Sequence, residues 1–189
     1  MKKLSFLLIL VLTSLNSYSQ DKPYRLGATV GLPNLVGVNF EYVTPALNNK
    51  LAVTLDYSTI KLNEGGGELD YSYSYFELGG NYYLSQKSKG LYTQFSYGRI
   101  GFKGNYNDPV NGTGEGSVTL NMINLILGAK LGNRLYLRPE VGFANFFNDA
   151  KVRVEYTDPT NSVTVIMEED VPNFLKSGLI YSIGLGLAF

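Results

Sequence analysis

The chain has 189 residues, 44% of them hydrophobic and 17% charged, with a formal net charge of zero. This length suggests one domain, the composition is too apolar for a disordered chain, and the charge balance leaves no basic footprint for nucleic acid. Having no cysteine excludes disulfides, thiolate metal sites and cysteine nucleophiles; having no histidine removes the usual general base, the Ser/His/Asp arrangement and the commonest zinc ligand.

The N-terminus reads as an export leader. Lys2 and Lys3 precede an apolar run from Leu4 to Leu12, and a polar stretch then ends Ser17-Tyr18-Ser19 before Gln20. Small residues at 17 and 19 fit a cleavage rule, so residues 1–19 are expected to be a cleaved signal peptide. The apolar run is shorter than the roughly 20 residues a spanning helix needs. Cleavage removes two positive charges and leaves the mature chain slightly acidic.

Tyr at 15, Phe at 10 and Gly at 21 suit strands and tight turns, and the rest of the chain alternates at period two. From Tyr24, Leu26, Ala28 and Val30 oppose Arg25, Gly27, Thr29 and Gly31, before a turn at Pro33-Asn34. The second strand, Val36 to Val43, sets Val36, Val38, Phe40 and Tyr42 against Gly37, Asn39 and Glu41. The third, from Leu51, opposes Leu51, Val53, Leu55 and Tyr57 to Ala52, Thr54, Asp56 and Ser58, before the Gly65-Gly66-Gly67 run. The fourth, about Tyr71 to Leu84, opposes Phe76, Leu78, Tyr82 and Leu84 to Tyr75, Glu77, Gly79 and Asn81, and turns over Gln86 to Gly90.

The fifth strand, about Leu91 to Asn105, begins with Leu91, Thr93, Phe95 and Tyr97 on the apolar face. Ile100 and Phe102 then have the other parity, which predicts a bulge near Gly98-Arg99. After a loop from Asn107 to Gly116, the sixth strand ends with Ile123, Leu125, Leu127, Ala129 and Leu131 against Asn124, Ile126, Gly128 and Lys130. A three-residue turn, Gly132 to Arg134, leads to the seventh strand from Leu135, with Tyr136, Arg138, Glu140, Gly142 and Ala144 on the polar face. Pro139 cannot donate to a ladder, so a bulge or a missing bond is expected there. The long excursion 148–176 contains a hairpin, Val152 to Tyr156 with Ser162 to Met167, about Asp158-Pro159-Thr160-Asn161. The last strand, Leu179 to Phe189, alternates Leu179, Tyr181, Ile183, Leu185, Leu187 and Phe189 with Ile180, Ser182, Gly184, Gly186 and Ala188.

Eight amphipathic strands joined by alternately short and long connections predict an eight-stranded antiparallel up-and-down transmembrane β-barrel over residues 20–189, with a polar, side-chain-filled lumen. A soluble barrel of the carrier type is wired oppositely, with its apolar face inward; Gly-rich faces would be hard to explain on its outside. Here Arg25, Glu41, Asp56, Glu77, Lys130, Arg138 and Glu140 share the face that carries Gly, Ala and Ser, and are expected to pair in the lumen because buried charges need partners. Tyr42, Tyr57, Tyr82, Tyr97 and Tyr181 lie on the apolar face, as an interfacial girdle would.

The signal peptide, the eight strands and a terminal strand ending in Phe189 resemble the outer-membrane β-barrel domain family of Gram-negative bacteria, broadly OmpA-like and OmpX-like. The resemblance implies outer-membrane lipids as surroundings. It also implies that the terminal strand, Leu179, Tyr181, Ile183, Leu185, Leu187 and Phe189, is read by the barrel assembly machinery during insertion. Such barrels serve as anchors, adhesins, secretion accessories and occasionally enzymes, so family likeness does not fix the role. The leading expectation is a non-enzymatic anchor or interaction module acting through extracellular loops, with an extracellular or periplasmic protein partner, no cofactor, no metal and no nucleic acid. The alternative is an accessory subunit of a secretion or transport assembly, similar to PorT-type barrels. A hydrolase or acyltransferase ranks lower, because related barrel enzymes generally use a histidine-assisted nucleophile. Asn111-Gly112-Thr113 reads as a turn, and Glu168-Glu169-Asp170, with Asp149 or Asp158, as solvated loop acids rather than a cation site.

Overall fold

The computed structural model describes residues 22–63, 69–85, 88–108, 112–147, 151–157, 164–170 and 178–189. The leader, the Gly65 to Gly67 run, Asn111, Asp149 and Asp158 lie outside them. Ten strands form one antiparallel sheet: β1 Tyr24–Leu32, β2 Leu35–Val43, β3 Leu51–Asn63, β4 Leu69–Tyr83, β5 Gly90–Asp108, β6 Gly112–Gly132, β7 Leu135–Phe146, β8 Lys151–Thr157, β9 Thr164–Asp170 and β10 Leu179–Ala188. Eight of them close a barrel. Sequential neighbours from β1 to β7 pair, and β10 pairs with both β7 and β1, from Arg25↔Ala188 to Leu32↔Tyr181.

The alternation read from the sequence sets the wall, and the wall is inside out. Phe95, Leu125, Leu135 and Phe143 are all more than 60% exposed, whereas Glu41, Asn39, Asn81 and Asn124 are 1% exposed or less. A water-soluble sheet would be arranged the other way, so the outward band of Leu, Val, Ile and Phe is a lipid face. On β3 to β7 the band has a polar upper limit. Above Tyr57, Phe76, Tyr97, Ile123 and Phe143 the next outward residues are Thr59, Ser74, Arg99, Asn121 and Asn145. At the end carrying the described termini and the short turns, Tyr24 stacks on Tyr42 at 5.2 Å and on Phe189 at 6.3 Å between ring centroids. Tyr24 thereby joins the lower aromatic belt beside Tyr42 and Tyr82, a member the sequence reading left out.

Three local expectations are corrected by the register. No bulge occurs near Gly98-Arg99: β5 pairs without interruption with β4, from Tyr83↔Tyr92 to Leu69↔Tyr106, and with β6, from Gly90↔Lys130 to Asp108↔Gly112. Ile100 and Phe102 point into the barrel instead, because the lumen above the membrane band is filled with apolar side chains. The Asn107 to Gly116 loop is mostly strand, with β5 running to Asp108 and β6 starting at Gly112, so Gly112 and Thr113 are ladder residues rather than a turn. The β6–β7 turn has three residues but sits one position later. Gly132 pairs with Tyr136, leaving Asn133, Arg134 and Leu135 at the tip. Gly132 has φ +121, and a Cβ there would lie 2.2 Å from the Leu135 carbonyl oxygen, which is why glycine stands at this corner.

Pro139 interrupts pairing without shifting it. The β6–β7 ladder stops at Gly128↔Glu140 and resumes at Leu131↔Leu137 in the same register, while the β10 side continues through Ile183↔Pro139. A lost donor removes a bond but adds no residue, so the strand stays in phase.

The hairpin expected within 148–176 is present as β8 and β9, paired from Lys151↔Asp170 to Thr157↔Thr164. It does not stand alone. β8 also pairs with the upper part of β6, from Thr113↔Thr157 to Ser117↔Arg153. β6 therefore gives one edge to β7 within the band and to β8 above it, and β9 ends the sheet.

Candidate functional site

The lumen is the densest collection of functional groups among the described residues, and it is layered. At the lower end Val43, Ala52, Tyr83 and Tyr92 pack together. At the upper end Tyr75, Ile100, Val118, Leu120 and Met122 form a second apolar plug, with Tyr73, Phe102, Ala144 and Phe146 against it. The Tyr73 hydroxyl donates to the Pro33 carbonyl of the β1–β2 turn and so ties that turn to the plug. The polar residues lie between these two layers.

Glu41 on β2 is the centre of the lower polar layer. It accepts from Arg25, from Lys130 Nζ at 2.7 Å, from Tyr83 Oη at 2.8 Å and from Asn81 Nδ2 at 2.7 Å. Lys130 also lies 4.7 Å from the Tyr136 ring centroid, where the ring face favours a cation. One carboxylate thus serves two cations, each brought from a different strand.

The upper polar layer has the opposite imbalance. Arg138 donates from Nε to Glu140 Oε1 at 2.7 Å, from Nη2 to Glu140 Oε2 at 3.0 Å, and from Nη2 to Asp56 Oδ1 at 3.2 Å. Ser182 donates to Glu140 at 2.6 Å and Asn39 to Asp56 at 2.8 Å. Glu77, 4% exposed, accepts from Tyr75, Ser96 and Gln94, which are neutral donors, and forms no ion pair among the described residues. Glu77 and Asp56 face each other across the β3–β4 ladder. The alternation marks Glu77 as inward, but nothing local in the sequence tells which inward acid receives a cation, because the partners come from strands far apart.

All seven lumenal residues singled out from the sequence are buried in the lumen, and all but Glu77 form ion pairs among the described residues. The hydroxyls of Ser96 and Ser182 are committed to carboxylates, and no group of acids suited to a metal ion occurs among the described residues. Two tyrosines fill the space that remains. Tyr92 lies against Gly128 and Tyr136 against Gly186, so that a Cβ at either glycine would come within 2.4 Å of a ring atom. Bare inward glycines are the hollows into which rings from neighbouring strands fold.

The terminal-strand residues sit elsewhere. Leu179, Tyr181, Ile183, Leu185 and Leu187 are outward and 44–59% exposed, and the backbone N–H of Phe189 donates to the Tyr24 carbonyl at 2.9 Å. Glu168, Glu169 and Asp170 fall in β9.

Among solved structures the chain is similar to a major outer membrane protein from Thermus thermophilus, with 15% identity, a TM-score of 0.50, and coverage of 88% of this chain and 97% of that one. The fold is that of an outer-membrane eight-stranded barrel. Weaker likenesses are to Acinetobacter baumannii CarO, at 12% identity and a TM-score of 0.47 over 90% of this chain and 100% of that one, and to CarO2 at 12% and 0.43 over the same shares. No family model and no curated protein matches the chain. An identity this low carries the architecture of the outer-membrane barrel to this chain and nothing of its neighbours' roles.

Proposed function

We propose that this outer-membrane barrel is a non-enzymatic anchor that presents an extracellular sheet to a protein or surface-polymer partner. The observation carrying the reading is the attachment of β8 to β6. The hairpin continues the barrel wall above the lipid band and ends in β9, whose outer edge is unpaired among the described residues. A sheet edge held by a rigid wall is ready to accept a strand from a partner. The lumen supports the same reading, since its charges other than Glu77 are spent on one another between two apolar plugs. In this reading residues 1–19 direct export, and the outward face of β10, closing on β1, is what the assembly machinery reads.

A photocrosslinking residue placed at Ile166, which is 55% exposed on β9, tests the proposal in intact cells. One defined adduct is expected there, lost when 150–171 is replaced by a short Gly-Ser link while the barrel still inserts. Adducts only from a crosslinker at Tyr24, on the opposite rim, would favour the alternative of a secretion or transport accessory engaged from the periplasm.

A further inference from the structure

Of three consecutive cross-strand rows on the outer surface of β3 to β6, the first and third carry cations and none carries an acid. The lowest runs Tyr57, Phe76, Arg99, Asn121; the next Thr59, Ser74, Gly101, Thr119; the third Lys61, Ser72, Lys103, Ser117. On β4 to β6 acids enter one row higher, at Asp70 and Glu115; the third row itself continues through Arg153 on β8 to Glu168 on β9, beyond this surface. Lys61, Arg99 and Lys103 are exposed, and none of the three takes part in an ion pair among the described residues.

From these rows we infer that the outer face of β3 to β6 is a binding surface for the phosphate groups of an outer-leaflet glycolipid. Position selects the occupant. Arg99 stands one outward place above Tyr97, at the top of the apolar band, so a molecule whose acyl chains pack on Leu78, Phe95 and Leu125 places its headgroup against these rows. A soluble anion could use the cations but not the band; a lipid uses both at once. The rows span about 14 Å across the strands and about 14 Å along them, at roughly 4.8 Å per strand and 6.8 Å per residue pair. That area suits a phosphorylated disaccharide. Arg and Lys supply charge-assisted bonds to phosphate oxygens, and the Ser, Thr and Asn side chains between them match sugar hydroxyls and phosphate oxygens alike. Among the described residues, β1, β2, β7 and β10 carry no such rows.

The inference rests on the membrane reading of the barrel, and the experiment separates the two. The full chain, purified in a non-ionic detergent, is titrated with bis-phosphorylated lipid A and with its dephosphorylated form, and bound lipid is counted by native mass spectrometry. The wild type is expected to prefer the phosphorylated form. The exposed triple variant Lys61→Gln, Arg99→Gln, Lys103→Gln is expected to bind it about 100-fold more weakly, at roughly fivefold per cation. A control triple at the other rim, Lys22→Gln, Lys50→Gln, Lys89→Gln, is expected to bind as the wild type does. Equal binding of both lipid forms, an unchanged triple variant, or an equal loss in the control would each overturn the glycolipid surface. Loss of heat-dependent gel mobility in the wild type would instead count against the barrel itself.

Discussion

Replacing Arg138 by methionine is expected to destabilise the barrel by about 3–5 kcal/mol, because it leaves two buried carboxylates without a cation. Arg138 is 2% exposed and is the one cation bonded to both Asp56 and Glu140 among the described residues. Methionine keeps most of the volume, so the loss reads charge rather than packing. Urea unfolding in detergent micelles would report it. Two further variants give the effect its meaning. Glu140→Gln in the Arg138→Met background should recover part of the loss, since one orphaned charge is removed. Glu77→Gln alone should change stability by no more than about 1 kcal/mol, because its partners are neutral and no cation is stranded. A large loss from Glu77→Gln, or none from Arg138→Met, would contradict the layered lumen.

Gly128→Ala is expected to cost about 1–3 kcal/mol, the usual range for overpacking a filled interior. A Cβ at this position would lie 2.4 Å from Tyr92 Cζ and 2.5 Å from its hydroxyl, and the three nearest atoms all belong to that one side chain. The clash should therefore be relieved by the ring's removal. Tyr92→Leu by itself loses a hydrogen bond to Glu140 and destabilises, yet the double variant should be more stable than the sum of the two losses by at least about 1 kcal/mol. Strict additivity would mean that the ring does not rest on Gly128. Gly186 makes a poorer test, since its nearest atoms include the Leu26 carbonyl as well as Tyr136.

The wall of the barrel was legible in the sequence because lipid outside and side chains inside impose opposite preferences on alternate residues, and every strand repeats the contrast. Arg25, Glu41 and Lys130 could be placed in the lumen on parity alone. Which of them pair could not, because Lys130 reaches Glu41 across the barrel and only closure brings those strands together. The misreading at Gly98 has a specific cause. Ile100 and Phe102 look like lipid-facing residues that have lost phase, and a bulge restores the phase most simply. The alternative signal was on the next strands: Tyr75 on β4 and Val118, Leu120 and Met122 on β6 also turn apolar on the inner face at that height, so the lumen itself changes character there. The fusion of the hairpin to β6 was hidden for another reason. Thr113 to Ser117 is Gly-rich and polar, and its strand character comes from pairing on both sides with β5 and β8 rather than from its own propensity.

The outward apolar band and the filled lumen together make one central claim, that this chain is a closed barrel in the outer membrane. Expression in a Gram-negative host, followed by membrane fractionation and gel electrophoresis with and without boiling, tests it most directly. Recovery in the outer-membrane fraction with a heat-dependent mobility shift is the predicted result. Recovery in the soluble periplasm, with one mobility at both temperatures, would contradict it.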